Sequence, residues 1–250
     1  MNSLHNKIIV ITGASSGIGR QIAIEASLHE AGTILIARNK TRLEETHQML
    51  TGGNHWVCPF DVTDFARIEQ FVEEIYNKAG VISGFVHCAG LESTIPFRNM
   101  NPEIYNNLFN TNVIAGLEFA RIISKKKFIN PQGGSFIFLG SVMSRFGKEG
   151  KVGYCASKGA LTSSIKAMAL ELSSRKIRCN VILPGIVKTE MVDSMFESLP
   201  ESSVNQIASQ HPLGLGIPED IASLAVFLLS DNSRWITGSE IVIDGGYSAQ

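Results

Sequence analysis

Residues 7 to 31 constrain the fold more than any other stretch of the chain. The apolar run Ile8-Ile9-Val10-Ile11 stops at Thr12-Gly13-Ala14-Ser15-Ser16-Gly17-Ile18-Gly19 and gives way to a helical pattern. Four consecutive apolar residues ending in a glycine-rich turn predict a strand buried on both faces, hence one inside a parallel sheet. Gly13, Gly17 and Gly19 remove side chains where the backbone must bend, and Ser15, Ser16 and Ile18 lie between them at the head of the helix. A helix start offers unpaired N–H groups and the positive end of its dipole, which suits a pyrophosphate. The spacing G-x-x-x-G-x-G differs from the G-x-G-x-x-G dinucleotide fingerprint, so the turn gains meaning only from the strand and helix that flank it.

The same alternation runs to the end of the chain. Strands are predicted at 33–37, 55–60, 84–88, 134–139, 177–183 and 239–243, with helices at 40–50, 65–78, 102–128, 152–174 and 218–229. Strands alternating with helices imply one doubly wound α/β domain over residues 1–250, of Rossmann type, with about seven parallel strands. In such a sheet the ligand crevice lies beyond the carboxyl ends of the strands. That rule alone nominates the glycine turn, Arg38, Asp61-Val62, Ala89-Gly90, Gly140-Ser141 and Pro184-Gly185.

With 22 basic and 23 acidic residues the net charge is −1, so no global field recruits nucleic acid or an anionic membrane, and a small-molecule partner is expected. Cys58, Cys88, Cys155 and Cys179 are scattered without ligand spacing, so buried thiols are expected and no metal. The first strand begins near residue 8 and no apolar run reaches ~18 residues, so neither a signal peptide nor a membrane span is expected, and a reducing, cytoplasmic setting follows.

Tyr154 and Lys158 stand four apart in a helical segment and therefore share a face. A nearby ammonium favours a phenolate, so Lys158 is expected to lower the pKa of Tyr154. Ser141 directly follows the strand at 134–139, where its hydroxyl can bond a substrate carbonyl. On the 102–128 helix the inward stripe Ile104, Leu108, Asn112, Ala115, Phe119, Ile122 places an amide where an apolar residue belongs. A buried amide needs partners: either it bonds local backbone, or it holds a water on the Lys158 side.

Taken together, Thr12 to Gly19 and Ser141 thirteen residues before Tyr154-Cys155-Ala156-Ser157-Lys158 resemble the short-chain dehydrogenase/reductase family. Asp61-Val62, Ala89-Gly90, Asn112, Pro184-Gly185 with Val187 and Thr189, and Asp244-Gly245-Gly246 fall where that family has its motifs. The resemblance implies Tyr154 as acid or base, Ser141 polarising the substrate oxygen, Lys158 on the nicotinamide ribose, and Asn112 anchoring a water that relays protons. His87-Cys88 departs from the two asparagines usual before Ala-Gly, which puts in doubt a tie between the central strands. A non-catalytic dinucleotide sensor is the other class to weigh, and the presence of both Tyr154 and Lys158 speaks against it.

The second strand ends in Ala37-Arg38 rather than a carboxylate, so Arg38 points to NADP(H) over NAD(H). Asp61 and Val62 are expected at the adenine. Residues 190–216, less regular and carrying Met191, Val192, Met195, Phe196 and Leu199, are read as a lid over an apolar ketone or acyl chain. Within the family the wording is closest to 3-oxoacyl-acyl-carrier-protein reductases; Arg175 and Lys125-Lys126-Lys127 fall near the basic positions such enzymes use for the carrier, and sugars, steroids and other ketones remain open. Along 152–174 a second stripe of small residues, Ala156, Ala160, Ser163 and Ala167, calls for a covering protein surface. Family resemblance makes that a homotetramer built from dimers, with a homodimer the simpler form.

Overall fold

The computed structural model describes residues 3–197 and 199–249. Its strands are β1 (Ile8–Thr12), β2 (Gly32–Ala37), β3 (His55–Pro59), β4 (Gly84–His87), β5 (Gly134–Leu139), β6 (Ile177–Pro184) and β7 (Glu240–Ile243). All pair in parallel, in the order β3-β2-β1-β4-β5-β6-β7. Between them run α1 (Gly17–Leu28), α2 (Lys40–Gln48), α3 (Ile68–Ala79), α4 (Pro102–Phe109), α5 (Ala115–Ile123), α6 (Val152–Leu172), α7 (Glu190–Glu197), α8 (Glu201–Ser209) and α9 (Pro218–Leu229). This is the doubly wound Rossmann-type sheet that the alternation predicts.

Because successive strand residues point to opposite faces, each strand feeds both cores. Ile9 and Ile11 pack with α1 and α9 through Ile22, Ala26, Ile221 and Val226, whereas Val10 packs on the other side with Phe85, Phe119 and Leu161. In register, Val10 stands beside Phe85 and Phe85 beside Phe136. Phe85 and Phe119 then stack at 5.9 Å, and Phe60 and Phe71 at 4.0 Å. Truncating a ring in this cluster costs about 3–5 kcal/mol.

Two predicted segments differ in detail. The helix expected at 102–128 is α4, a π turn at Asn110–Ile114 and α5, ending at Ile123. A π turn inserts one residue into the helical ladder. Residues 190–216 are more regular than their composition suggests, forming α7 and α8, and a bridge between Val187 and Gly216 joins the flanks of this segment. Among the described residues no helix is long and apolar enough to cross a membrane, and no cluster of His, Cys, Asp or Glu is placed to hold a metal.

Candidate active site

The strand order reverses between β1 and β4, and there the two carboxyl ends approach closely. Gly13 has φ +69°, and a Cβ on it would lie 2.8 Å from Ala89 N, so only glycine fits this crossing. A Cβ on Gly19 would meet Gly13 O at 2.3 Å, which fixes the start of α1 against the turn. Arg20 Nη2 donates to Ser15 O at 2.6 Å and Thr46 Oγ1 to Ala14 O at 3.0 Å, bracing the turn from behind. Ser16 precedes α1 without a side-chain cap, and the first turn holds no acidic residue. The N–H groups and dipole of α1 therefore face the crevice unopposed, as an anion requires.

Above this point opens a cavity of about 740 Å³. Gly13, Ser15, Ser16, Gly17, Ile18, Gly19, Arg38, Asp61, Val62, Ala89, Gly90, Ser141, Tyr154, Lys158, Pro184, Gly185, Val187 and Thr189 all line it. Asn112 is fully buried behind the wall. At one end Asp61 Oδ1 accepts from Thr63 N at 2.9 Å and Thr63 Oγ1 at 2.7 Å, which hold its carboxyl below the usual range. Exposed Arg38 closes β2 at the same end. Sequence reasoning missed Arg42, one turn into α2, which pairs across the cavity mouth with Glu190 at the head of α7.

At the other end Tyr154 sits in the first turn of α6 and lines the cavity together with Ser141. Lys158 Nζ lies 5.7 Å from the phenol ring centre and donates to Leu139 O at 2.7 Å. The three side chains thus meet as the spacing predicts. The charge balance does not follow the prediction. Burial pushes the Tyr154 phenol up to about 12, partly opposed by the Ser141 hydroxyl, and burial pushes the Lys158 ammonium down to about 8. In this enclosed site desolvation outweighs the attraction expected to lower the tyrosine.

Asn112 follows the bracing reading. Its Nδ2 donates to Leu91 O at 2.9 Å and Ser157 Oγ at 3.0 Å, and its Oδ1 accepts from Leu91 N at 2.7 Å. Both amide hydrogens are committed, so the water-holding group is not the NH₂. The remaining lone pair of Oδ1 faces the gap left by Gly90, where a Cβ would lie 3.4 Å from Oδ1 and 3.7 Å from Lys158 Nζ.

The doubtful tie between the central strands is present in another form. His87 Nε2 donates to Thr111 O at 3.1 Å in the π turn, which leaves Nδ1 to accept from Thr12 Oγ1 at 2.9 Å. Ala89 N in turn donates to Thr12 Oγ1 at 3.3 Å. Burial drives the His87 pKa down to about 3, so the ring is neutral and keeps this tautomer.

The substrate end is walled by Met143, Met191, Val192 and Met195; Phe196 and Leu199 do not reach it. His211 stacked on Tyr247 at 5.0 Å closes the far side, a contribution from the chain's end that no local pattern announced. Of the basic residues considered for a carrier, Lys125 pairs with Glu69, Lys127 with Glu73, and Arg175 bonds Ser124 O.

Residues 13–248 match the family model described as enoyl-(acyl carrier protein) reductase. The chain is 32% identical to the 3-oxoacyl-(acyl-carrier-protein) reductase of Thermotoga maritima over 97% of this chain and 98% of that one. It is 31% identical to 2-(S)-hydroxypropyl-CoM dehydrogenase 3 of Xanthobacter autotrophicus over 99% of each. A short-chain type dehydrogenase/reductase from Mycobacterium marinum superposes with a TM-score of 0.90 at 29% identity, covering 100% of this chain and 98% of its own.

Proposed function

The chain belongs to the short-chain dehydrogenase/reductase family of oxidoreductases, and from that premise we propose that it reduces a ketone to a secondary alcohol with NADPH, Tyr154 giving the proton. The observation that carries this reading is the meeting of Ser141, Tyr154 and Lys158 in one cavity wall, with the Lys158 ammonium 5.7 Å from the phenol ring centre. A bound nicotinamide dinucleotide supplies the hydride, which goes to the carbonyl carbon. Tyr154 transfers its proton to the carbonyl oxygen while Ser141 Oγ donates a hydrogen bond to that oxygen, so the alcohol leaves and a phenolate remains. Lys158 stabilises the phenolate and holds ribose hydroxyls. A water between Asn112 Oδ1 and Lys158 Nζ, in the space Gly90 leaves open, returns the proton. A phenol held near 12 keeps its proton at neutral pH, as the donor in ketone reduction must.

The glycine turn and α1 take the pyrophosphate, Asp61 and Val62 the adenine, and Ala89, Gly90, Pro184, Gly185, Val187 and Thr189 the nicotinamide side. Arg38 selects the 2′-phosphate, and Arg42 supplies a second guanidinium for which that phosphate competes with Glu190. The methionine wall accepts an apolar chain, with residues 190–216 as its lid. A 3-oxoacyl thioester on acyl carrier protein fits the Thermotoga relative. A free small ketone is the second reading, favoured by the internal ties of Lys125, Lys127 and Arg175. Four free thiols accord with a reducing, cytoplasmic setting.

The test is NADPH and NADH oxidation with a panel of acetoacetyl thioesters, diketones and cyclic ketones. We expect kcat/KM to favour NADPH at least ~10-fold, a difference of about 1.4 kcal/mol. Arg38→Asp should remove that preference, and Tyr154→Phe should bind NADPH with turnover lost. A wild-type preference for NADH, or turnover of more than a few per cent in Tyr154→Phe, overturns the reading.

A further inference from the structure

Two charged side chains line the cavity beside Tyr154 and have no part in the proton path above. Lys151 stands immediately before α6, three residues and one helical turn ahead of Tyr154, with its Nζ 6.0 Å from the phenol ring centre. Its ammonium pairs with the carboxylate of Glu92, from the segment that follows β4. It also donates to Thr94 Oγ1 at 2.5 Å, and Thr94 Oγ1 donates to Glu92 Oε1 at 3.2 Å. The two charged side chains are only 11% and 28% exposed. Partly withdrawn from water, they are poorly screened and act strongly on their neighbours.

The backbone repeats the tie, since Ile95 N donates to Gly150 O at 2.8 Å. Residues 92–95 are thereby clamped to the head of α6 on the side where the phenol stands. The charged and titratable groups around that ring are Lys158 and Cys155 on its own helix, Lys151 at the helix head, Glu92 from the segment after β4, and the Ser141 hydroxyl beyond β5. The Glu92 carboxylate opposes ionisation of the phenol, and an ammonium 6.0 Å from the ring centre acts in the opposite sense.

Building on the reading of Tyr154 as the acid, we propose that Lys151 and Glu92 are a positioning pair whose charges cancel at the phenol, leaving Lys158 as the cation that governs proton transfer there. Neither residue touches the reacting atoms. A neutral pair at this spot holds the ring against Ser141 without biasing it toward phenolate. Either member alone biases it, in opposite directions.

That opposition is the test, and it needs no substrate. The chain has four tyrosines, so ¹³Cζ-tyrosine NMR resolves each, with Tyr154→Phe assigning the resonance of interest. Because an ordinary lysine amine has lost its proton by the pH at which Tyr154 ionises, the cation is kept as arginine at 151, and in that Lys151→Arg background Glu92→Gln leaves the charge uncompensated and should move the Tyr154 ionisation down by roughly one pH unit, the order expected for one unit charge at this range. Lys151→Gln, compared with Lys151→Arg, should lower the phenolate fraction at a fixed alkaline pH. The variant with Gln at both positions, and Glu92→Asp in the arginine background, should return to the Lys151→Arg curve. A clamp with only a structural role moves both single variants the same way or neither. An unshifted Tyr154 in Glu92→Gln with arginine at 151, or shifts of the same sign from the two single changes to Gln, overturns the proposal. Opposite shifts together with absent NADPH consumption uphold the pair and count against the catalytic reading instead.

Discussion

At the residue scale the site turns on how burial sets two protons. The Tyr154 phenol, held near 12, keeps its proton well beyond the neutral range, while the Lys158 ammonium, held near 8, loses its proton as pH rises through that value. For reduction both protons are needed: one on the phenol to be given away, one on the lysine to stabilise the phenolate left behind. A Lys whose pKa is lowered is charged below that value and loses its charge as pH rises through it. The rate of ketone reduction should therefore be level below about pH 7 and fall about tenfold per unit above about pH 8. The pH profile of kcat for reduction of ethyl acetoacetate checks this, and Lys158→Met should be slow with no such limb. A rate level to about pH 10 would show that Lys158 is not the group that matters.

At the scale of elements, the π turn between α4 and α5 carries Asn112 and is held by His87. Gly116, in the first turn of α5, is what admits the imidazole: a Cβ there would lie 2.6 Å from His87 Cδ2. In an exposed helix Gly→Ala stabilises, but Gly116→Ala should cost about 1–3 kcal/mol by overpacking. Combining it with His87→Asn, a smaller side chain, should recover part of that loss, since contacting residues couple. Urea unfolding of the two single variants and the double measures it; additive losses would mean that ring and glycine act independently. This pair also shows what a sequence does and does not disclose. Ser141, Tyr154 and Lys158 were legible because strand end and i,i+4 spacing are local properties. Asn112 was legible as a polar break in an apolar stripe and, on one reading, as a backbone brace, though its partners Leu91 and Ser157 were not. His87 to Thr12, Arg42 to Glu190 and Lys151 to Glu92 span 75, 148 and 59 residues. Such partners are chosen by strand order and helix packing, so no spacing in the chain announces them. In residues 190–216 an amphipathic helix was one reading of the apolar positions, but the division into α7 and α8 was not legible, because no local pattern sets where one ends and the next begins.

For the whole molecule, the chain leaves apolar surface that its own fold does not cover. The small stripe of α6 is outward: Ala156, Ser163 and Ala167 are exposed and Ala160 half-buried, while Leu161 and Ile165 take the core. Leu170 at the end of that helix is 79% exposed and Trp235, shortly before the edge strand β7, is 90% exposed. An open strand edge and an apolar helix face invite partners. Small residues let a two-fold mate approach closely, since each copy presents the same patch to the other. We expect sedimentation equilibrium to give four chain masses for the wild type. Ala167→Arg, which puts two guanidinium groups on the axis of the α6 contact, should reduce this to two without lowering the thermal midpoint of each chain's fold. Trp235→Ser should instead break the contact near β7 and also leave dimers, and both changes together should leave monomers. A monomeric wild type would mean that these surfaces serve some other partner.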